Sequence, residues 1–324
     1  MGKHLVSALL ETEKHEITAI TRPESKSTFP PQVKVARAGY DDHAALVSAL
    51  RGQHVLIITL SVLAADDTEG KLIDAAAEAE VPYIMPNNWG GDAAHQSMRD
   101  AFIGAKYEAT QRRLESLDKT SWIEIASGFW YEFSLAGTID RYGFDFKDRK
   151  VRFYDEGTAR MNTSTWEQIG RAVARLLSLK ETRSSPDDNE PSLSDFKNRL
   201  LYVSSFFISQ KDMFASVLRV TGTKESDWDI TYEKSADRYK SGLEEMQNGT
   251  RWLGFMQVLY SRCFFPEEAD GDSAAAFEKR HKLINDILGL PKEDLDERTK
   301  VAIEMGSGLL SESYQGIIKK PSQG

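Results

Sequence analysis

The stretch Gly2-Lys3-His4-Leu5-Val6-Ser7-Ala8-Leu9-Leu10 decides the fold together with the run that follows it. Its apolar residues recur one helical turn apart, which predicts an amphipathic helix. His15-Glu16-Ile17-Thr18-Ala19-Ile20-Thr21 then predicts a strand, and Arg22 follows it directly. A helix that leads into a strand ending at a basic residue is typical of the second half of a dinucleotide-binding βαβ unit.

The first half of such a unit is a strand and a Gly-rich turn, whose backbone N–H groups hold a pyrophosphate together with the helix N-terminus. Gly2 would be the last glycine of that turn, and only Met1 precedes it. We therefore expect a cofactor-binding fold that lacks its first strand and first two glycines, as in a truncated chain. The sequence leaves open whether such a chain still binds the cofactor.

Predicted strands and helices alternate through the first half of the chain. The nearly continuous apolar run from His54 to Leu60 predicts a strand buried on both faces of a parallel sheet. Residues 163–170 are interpreted as a loop leading into a helix that ends near residue 179. The alternation predicts an α/β fold with a Rossmann-type, doubly wound parallel sheet. The other predicted strands are 33–36, 81–85, 122–126 and 151–154, and the other predicted helices are 44–50, 72–79 and 105–117.

Two domains are predicted. Residues 1–181 form the NAD(P)-binding Rossmann-like domain, and the polar, proline-containing segment 182–195 is a surface loop or linker. Residues 195–324 form a smaller, mostly helical, α-rich substrate lobe, although a strand at 200–205 is expected to join the sheet. Within this lobe a helix is predicted to begin at Ser209 and to end at Gly222.

Composition excludes several classes of protein. The 324 residues are 40% hydrophobic and 28% charged, as in a soluble globular protein, and no apolar run approaches the roughly 20 residues that cross a bilayer. The formal net charge of −9 argues against direct binding to nucleic acid. The single cysteine, Cys263, fits a reducing compartment, so we expect a cytoplasmic protein. The six histidines are scattered and Cys263 has no nearby metal-ligand partner, so no metal site is predicted.

The turn after the 15–21 strand is the first candidate cofactor contact. In this fold the residue closing the second strand faces the adenosine ribose, where an acid selects NAD and basic residues fit a 2′-phosphate. Arg22, Ser25 and Lys26 therefore favour NADP(H), because a guanidinium can bind phosphate through two hydrogen bonds. The alternative is a solvated basic turn in an acidic protein.

Two further loops follow neighbouring predicted strands. Ligands of open α/β sheets bind outside the carboxyl ends of the strands, so both loops are predicted to line the cofactor. The alternative is ordinary turn chemistry, because Asn and Gly favour turns. The predicted lining residues are Thr59, Leu60 and Ser61 in the first loop, and Pro86, Asn87 and Asn88 in the second.

Lys106 lies near the start of the helix that follows the second loop. A lysine at a pocket edge can hold a nicotinamide ribose or move a proton, although most helix lysines are simply solvated. The Tyr-x-x-x-Lys pair of short-chain dehydrogenases is missing, since Tyr107 is followed four residues later by Gln111.

The order and spacing of these features resemble the NmrA-like and isoflavone-reductase-like branch of atypical short-chain dehydrogenases, in its fungal form. Residues 2–6 resemble the end of the family's Gly-rich turn, and residues 83–90 resemble its Phe-x-Pro-Ser-Glu-Phe-Gly segment, with Asn87-Asn88 in place of Ser-Glu. Residues 127–130 resemble the Gly-Phe-Phe turn beside the nicotinamide. Residues 165–173 resemble a helix start of the family.

The resemblance implies an NADPH-dependent reductase that transfers hydride to a small aromatic or apolar molecule. It places Lys106 at the family's catalytic lysine, and Gly128 and Phe129 beside the nicotinamide. The alternative is a non-catalytic, NmrA-type redox sensor that binds NAD(P) and contacts a transcription factor. The missing Tyr-x-x-x-Lys pair favours the sensor, whereas Lys106 and the second lobe favour the enzyme.

Overall fold

The computed structural model describes residues 1–61, 64–65, 67–265 and 275–306. The α-helices are α1 (Gly2–Glu11), α2 (His43–Leu50), α3 (Thr68–Glu78), α4 (Gln96–Asp100), α5 (Gly104–Glu115), α6 (Tyr131–Leu135), α7 (Trp166–Leu177), α8 (Gln210–Thr221), α9 (Ser235–Asn248), α10 (Arg251–Arg262) and α11 (Leu295–Gly306). The strands are β1 (Thr18–Thr21), β2 (Lys34–Arg37), β3 (Val55–Ile57), β4 (Tyr83–Met85), β5 (Ser121–Ala126), β6 (Phe129–Trp130), β7 (Phe144–Asp145), β8 (Lys150–Tyr154), β9 (Arg160–Ser164), β10 (Arg199–Tyr202), β11 (Phe206–Ser209) and β12 (Asp229–Glu233).

The central sheet has four parallel strands in the order β10-β5-β4-β3. Its register places Ile84 beside Trp122, and Leu201 beside Ile125. β1 and β2 form a separate two-stranded parallel sheet, and no strand within the described ranges pairs with β1 on its other side. The parallel strands and the helices between them confirm the predicted α/β fold.

Alternate residues of the central strands face two helical layers. Met85 and Ile125 point to one face and pack against residues of α1 and α7. Ile84 and Trp122 point to the other face and pack against residues of α2 and α3. Because both faces are covered, the strands are apolar at nearly every position, which explains the run that predicted β3.

A second core lies beside this sheet. Two three-stranded sheets, β11-β9-β6 and β12-β8-β7, pack with helices α8, α10 and α11 around buried aromatic residues. Residues between 142 and 161 contribute to this core together with residues from 206–264 and 275–302. The core includes Tyr142, Phe144, Tyr154, Phe214, Tyr260 and Phe264.

Some local predictions were wrong in this region. Residues 163 and 164, interpreted as a loop, complete β9, because their backbone pairs with β6 and β11. The strand β12 was not predicted, because only Ile230 and Tyr232 alternate within it. The helix predicted from Ser209 to Gly222 is confirmed: the Ser209 hydroxyl accepts a hydrogen bond from Asp212 N, and Gly222 adopts φ +66°.

Candidate cofactor and active site

The first turn of α1 lies against Thr59, in the loop that follows β3. A Cβ added to Gly2 would come within 3.0 Å of Thr59 Oγ1, so the two predicted residues are neighbours. α1 has no side-chain cap and no acidic residue in its first turn. His4 N donates to Met1 O at 2.9 Å, whereas the N–H groups of Gly2 and Lys3 have no hydrogen-bond acceptor among the described residues and are available to an anion, as at the phosphate-binding helix ends of Rossmann folds. Thr59 and Ser61 are exposed at this edge, and Leu60 is half-buried.

β3 ends at Ile57, three residues earlier than predicted. Beyond Ile57 the backbone groups form hydrogen bonds with side chains of the loop after β4. The Trp89 indole N–H donates to Ile58 O at 2.8 Å. The Asn87 side-chain oxygen accepts from Leu60 N at 3.0 Å. These bonds tie the loop after β4 to the loop after β3 at the carboxyl edge of the sheet.

Asn87 and Asn88 use their polar groups within the protein. Asn87 N donates to the Glu69 carboxylate on α3 at 2.7 Å, and the Asn88 side-chain amide donates to Glu124. Pro86 is buried beside them. The loop is therefore fixed in shape by its own side chains, and any contribution of Pro86, Asn87 and Asn88 to the cofactor site depends on that shape.

Glu124 is a buried carboxyl group that the sequence analysis missed. It is 1% exposed on β5, on the face covered by α5, and accepts hydrogen bonds from Asn88 and, at 2.5 Å, from Gln111 Nε2. Burial raises the pKa of Glu124 to about 8, although the two amide donors oppose the shift and the charges of Asp92 and Glu69 add to it. The sequence did contain one sign of this buried carboxyl group, because Glu124 is the single acidic residue in an otherwise mostly apolar strand.

Lys106 stands in the first turn of α5 and is exposed. No hydrogen bond or ion pair joins its ammonium group to the part of the chain that the structure describes. The next residue, Tyr107, is half-buried, and burial together with the charges of Glu124 and Asp92 raises its pKa. The structure therefore leaves Lys106 open to a ligand, whereas Tyr107 is partly buried.

Gly128 and Phe129 connect the sheet edge to the second core. Gly128 has φ +69°, and a Cβ there would lie 2.2 Å from Asn162 O, so only glycine allows this approach of β9. The Phe129 ring stacks on Tyr260 at 4.4 Å and meets Tyr142 edge-on at 5.9 Å. Phe129 thus lies where the candidate cofactor edge borders the second lobe.

The predicted phosphate-binding turn lies at the end of β1. Arg22 and Lys26 are exposed, and Ser25 is half-buried. Arg22 Nε lies 3.3 Å from the Glu24 carboxylate, but both side chains are mostly exposed. An exposed ion pair of this kind contributes little to stability, so a phosphate can compete with Glu24 for the Arg22 guanidinium.

Arg37 is a third cation at this turn, and the sequence analysis missed it. It lies opposite Thr21 in the β1–β2 register. Its guanidinium donates to Pro23 O and Ser25 O, each at 3.1 Å, and so holds the turn in place. A basic residue closing β2 was the available signal, but the pairing of β2 with β1 was needed to interpret it.

Glu132 is a second buried carboxyl group, at the start of α6. It is 1% exposed, and neither of its oxygens has a hydrogen-bond partner in the described structure. Burial raises its pKa to about 8; Glu167 and Glu293 also raise it, and Arg298 opposes them. Nearby, the His4 ring of α1 stacks on Trp166 at 5.1 Å.

The described ranges contain neither a membrane-spanning helix nor a metal-binding cluster. None of the described helices is both long and apolar enough to cross a membrane. No cluster of three or more His, Cys, Asp or Glu residues in the same ranges has the arrangement of a metal site. Cys263 is buried in the second core.

A parallel sheet covered by helices on both faces, with a helix N-terminus at its carboxyl edge, is the architecture of Rossmann-like folds. Comparison with known proteins agrees. Residues 1–122 match the family described as NAD(P)H-binding. The chain is 26% identical over 306 residues to the oxidoreductase aprR of Aspergillus flavus, an alignment covering 92% of this chain and 93% of that protein.

Solved structures show the same fold. The crystal structure of isoflavone reductase has a TM-score of 0.66 at 15% identity, covering 92% of this chain and 94% of that one. The structure of AtPrR2 with NADP+ and (+)pinoresinol has a TM-score of 0.69 at 16% identity, covering 93% and 95%. The resemblance to isoflavone-reductase-like proteins is thus confirmed for the fold, and the NAD(P)H-binding family is the one that residues 1–122 resemble.

Proposed function

We propose that the protein is an NADPH-dependent oxidoreductase that reduces a small aromatic or apolar molecule by hydride transfer. The observation that carries the proposal is the meeting of the α1 N-terminus with the loop after β3, at Gly2 and Thr59, a loop to which Asn87 ties the loop after β4. This is the edge at which Rossmann-type folds bind dinucleotides. The relative named as an oxidoreductase and the NAD(P)H-binding family match support the same class.

The residues at this edge fit a dinucleotide. The uncapped first turn of α1 suits the pyrophosphate, because its N–H groups and helix dipole favour an anion. Bound NADPH would supply the hydride. The predicted contacts are Gly2, Thr59, Leu60, Ser61, Pro86, Asn87 and Asn88 along the cofactor, and Gly128 and Phe129 toward the nicotinamide.

Preference for NADPH is proposed from the basic turn. Arg22 and Lys26 are exposed at the end of β1, Ser25 lies between them, and Arg37 orders their backbone. A turn with this charge attracts the 2′-phosphate and gives the unphosphorylated ribose of NADH no equivalent interaction.

Lys106 is the proposed catalytic residue. Its exposed ammonium group, in the first turn of α5, can hold the nicotinamide ribose or donate a proton to the reduced substrate.

The cofactor assignment is tested by titrating the purified chain with NADPH and NADH while nicotinamide fluorescence is followed. Replacing Arg22 and Lys26 by Ser should weaken NADPH binding at least about tenfold and leave NADH binding unchanged, because only the 2′-phosphate loses partners. The control replaces Lys14 and Lys240 by Ser, which removes the same charge from exposed positions elsewhere. Absence of binding, or an equal loss for both nucleotides, would contradict the proposal.

The enzymatic role is tested with Lys106→Ala. We expect turnover of NADPH with a panel of carbonyl and alkene substrates to be abolished, while NADPH affinity stays within about twofold, because the side chain acts on the reacting end. Unchanged turnover would remove Lys106 from catalysis.

The second candidate function is the NAD(P)-binding redox sensor. The observation that favours it is the lack of any described partner that would orient the Lys106 ammonium group. NADPH binding without oxidation by any member of the panel, together with a stoichiometric protein partner, would support the sensor against the enzyme.

A further inference from the structure

A pocket of about 390 Å³ lies between the α4–α5 connection and the α9–α10 pair. Its lining is almost entirely apolar and aromatic, with one cation. A volume of this size accommodates a molecule of one or two rings. The lining residues are Phe102, Met246, Arg251, Trp252 and Phe255.

Phe102 is the first unusual feature of this pocket. It is 58% exposed and adopts φ +62°, a left-handed conformation that is costly for a bulky side chain. Phe102 N donates to Arg99 O and Ile103 N donates to Met98 O, both at 2.9 Å, which is the Schellman pattern at the end of α4. Glycine is the usual residue at this position of the motif. An exposed aromatic ring held there at a conformational cost points to a use outside folding.

The opposite wall is also aromatic. The rings of Trp252 and Phe255, on the first turns of α10, lie 5.7 Å apart at an angle of 38°. Together with Phe102 they present ring faces and edges from both sides of the pocket, which is the surface that a flat aromatic ligand packs against.

Arg251 supplies the charge. It is the first residue of α10 and is exposed, and none of the described residues forms an ion pair or hydrogen bond with its guanidinium. The first turn of α10 contains no acidic residue. The Glu245 carboxylate accepts a hydrogen bond from Thr250 N at 2.7 Å, one residue before Arg251, but it forms no ion pair with the Arg251 guanidinium within the described residues. Arg251 therefore places one cation beside the apolar pocket.

We propose that this pocket binds an aromatic carboxylate. The rings of Phe102, Trp252 and Phe255 take the apolar part, and Arg251 takes the carboxylate through two parallel hydrogen bonds. The pocket borders the proposed active site without coinciding with it: Phe102 precedes Lys106 by four residues, whereas Tyr260, the partner of Phe129, lies two turns further along α10, about 12 Å from Trp252 at the rise of an α-helix. Binding there needs no NADPH, so its test does not depend on the reductase proposal.

The test is calorimetric titration of the full chain, without NADPH, with 2-naphthoate and with its neutral isostere 2-naphthamide. We expect 2-naphthoate to bind at least about tenfold more tightly than the amide, because only the acid meets the Arg251 charge. Arg251→Gln should bring the acid to the affinity of the amide and leave the amide unchanged. Lys14→Gln, which removes a charge from an exposed position elsewhere, should change neither.

Phe102→Gly separates binding from folding. It removes a pocket wall and also relieves the left-handed backbone, so we expect both probes to bind more weakly while the melting temperature holds or rises. Equal affinity for the acid and the amide, or an Arg251→Gln chain that still distinguishes them, would overturn the anion site. Failure of both probes to bind, or a lower melting temperature for Phe102→Gly with unchanged binding, would overturn the pocket.

Discussion

Glu124 and Glu132 are both almost fully buried, but their carboxyl groups differ in the hydrogen bonds that they accept. Glu124 receives hydrogen bonds from two amides, which link the loop after β4 to α5. Glu132 receives none among the described residues. The pKa of each is raised to about 8, chiefly by burial, so both groups hold protons at a pH where surface carboxylates are ionised.

Glu132 should make stability depend on pH. A carboxyl group with a pKa near 8 in the folded state and about 4.3 in the unfolded state is protonated only in the folded state between those values. The unfolded state then binds fewer protons, so the free energy of unfolding falls as pH rises from about 4.3 to about 8. The Glu132→Gln variant stays neutral at every pH. We therefore expect the free energy of unfolding of the variant minus that of the parent to be larger at pH 8.5 than at pH 5, by at least about 1 kcal/mol.

Urea unfolding at pH 5 and pH 8.5 measures this difference. Glu244→Gln is the matched control, because Glu244 is exposed on α9 and its neutralisation should leave the pH dependence unchanged. If Glu132→Gln and the parent lose stability equally between the two pH values, the buried carboxyl is not the cause.

At the level of elements, Gly128 fixes how the central sheet meets the second lobe. Its left-handed backbone turns the chain from β5 into β6, and β6 then pairs in parallel with β9. The carbonyl of Asn162 occupies the space where a side chain would be.

Gly128→Ala should therefore destabilise the protein by at least about 2 kcal/mol, from the left-handed backbone together with displacement of β9. The melting temperature measures the effect. Gly39→Ala is the control, since a Cβ at Gly39 meets nothing within 4 Å. Equal melting temperatures for the two variants would show that β9 moves aside at no cost.

The elements that the sequence predicted best are those with clear periodicity. α1, α2 and the strands β1, β4 and β5 follow from apolar spacing and from buried apolar runs. β3 was predicted too long, because Trp89 and Asn87, which hold the backbone beyond Ile57, lie in a later loop. Local sequence patterns contain no information on hydrogen bonds from side chains that lie far away in the chain.

The same limit applies to the site. The rule that ligands bind outside the carboxyl ends of parallel strands singled out Thr59 and the loop at Pro86, which lie at that edge, and their contact with a cofactor stays a prediction. The contacts that Arg37, Glu124 and Glu132 make are set by residues far away in the chain, so their importance appears only after folding. The roles assigned to Lys106 and the basic turn stay predictions.

On the scale of the whole molecule, Glu293 joins the two cores. Its carboxylate, 3% exposed, accepts hydrogen bonds from Thr165 and Ser205 and is paired with Arg171 at 2.6 Å and with Arg298 at 3.3 Å. The buried Glu293 carboxylate thus links α7 to α11, because its two arginine partners lie on these two helices and compensate its charge.

The fold as a whole was predictable because it depends on patterns rather than on particular residues. Isoflavone reductase keeps the same architecture at 15% identity. Alternation of buried strands and amphipathic helices survives such divergence, whereas the side chains of the loops do not. This explains why the sheet followed from the sequence while the pocket at Phe102 did not.

The separate β1–β2 sheet has a mechanical consequence. No described strand bonds β1 to β3; instead Ile17 and Ile57 pack on the same residues of α1 and α7, and Ile20 and Leu56 pack in the cluster on the opposite face. Apolar contacts have no fixed direction, so this two-stranded unit can tilt without breaking a backbone hydrogen bond. The distance from the basic turn to the loop at Thr59 is therefore set by side-chain packing and not by backbone hydrogen bonds between described strands.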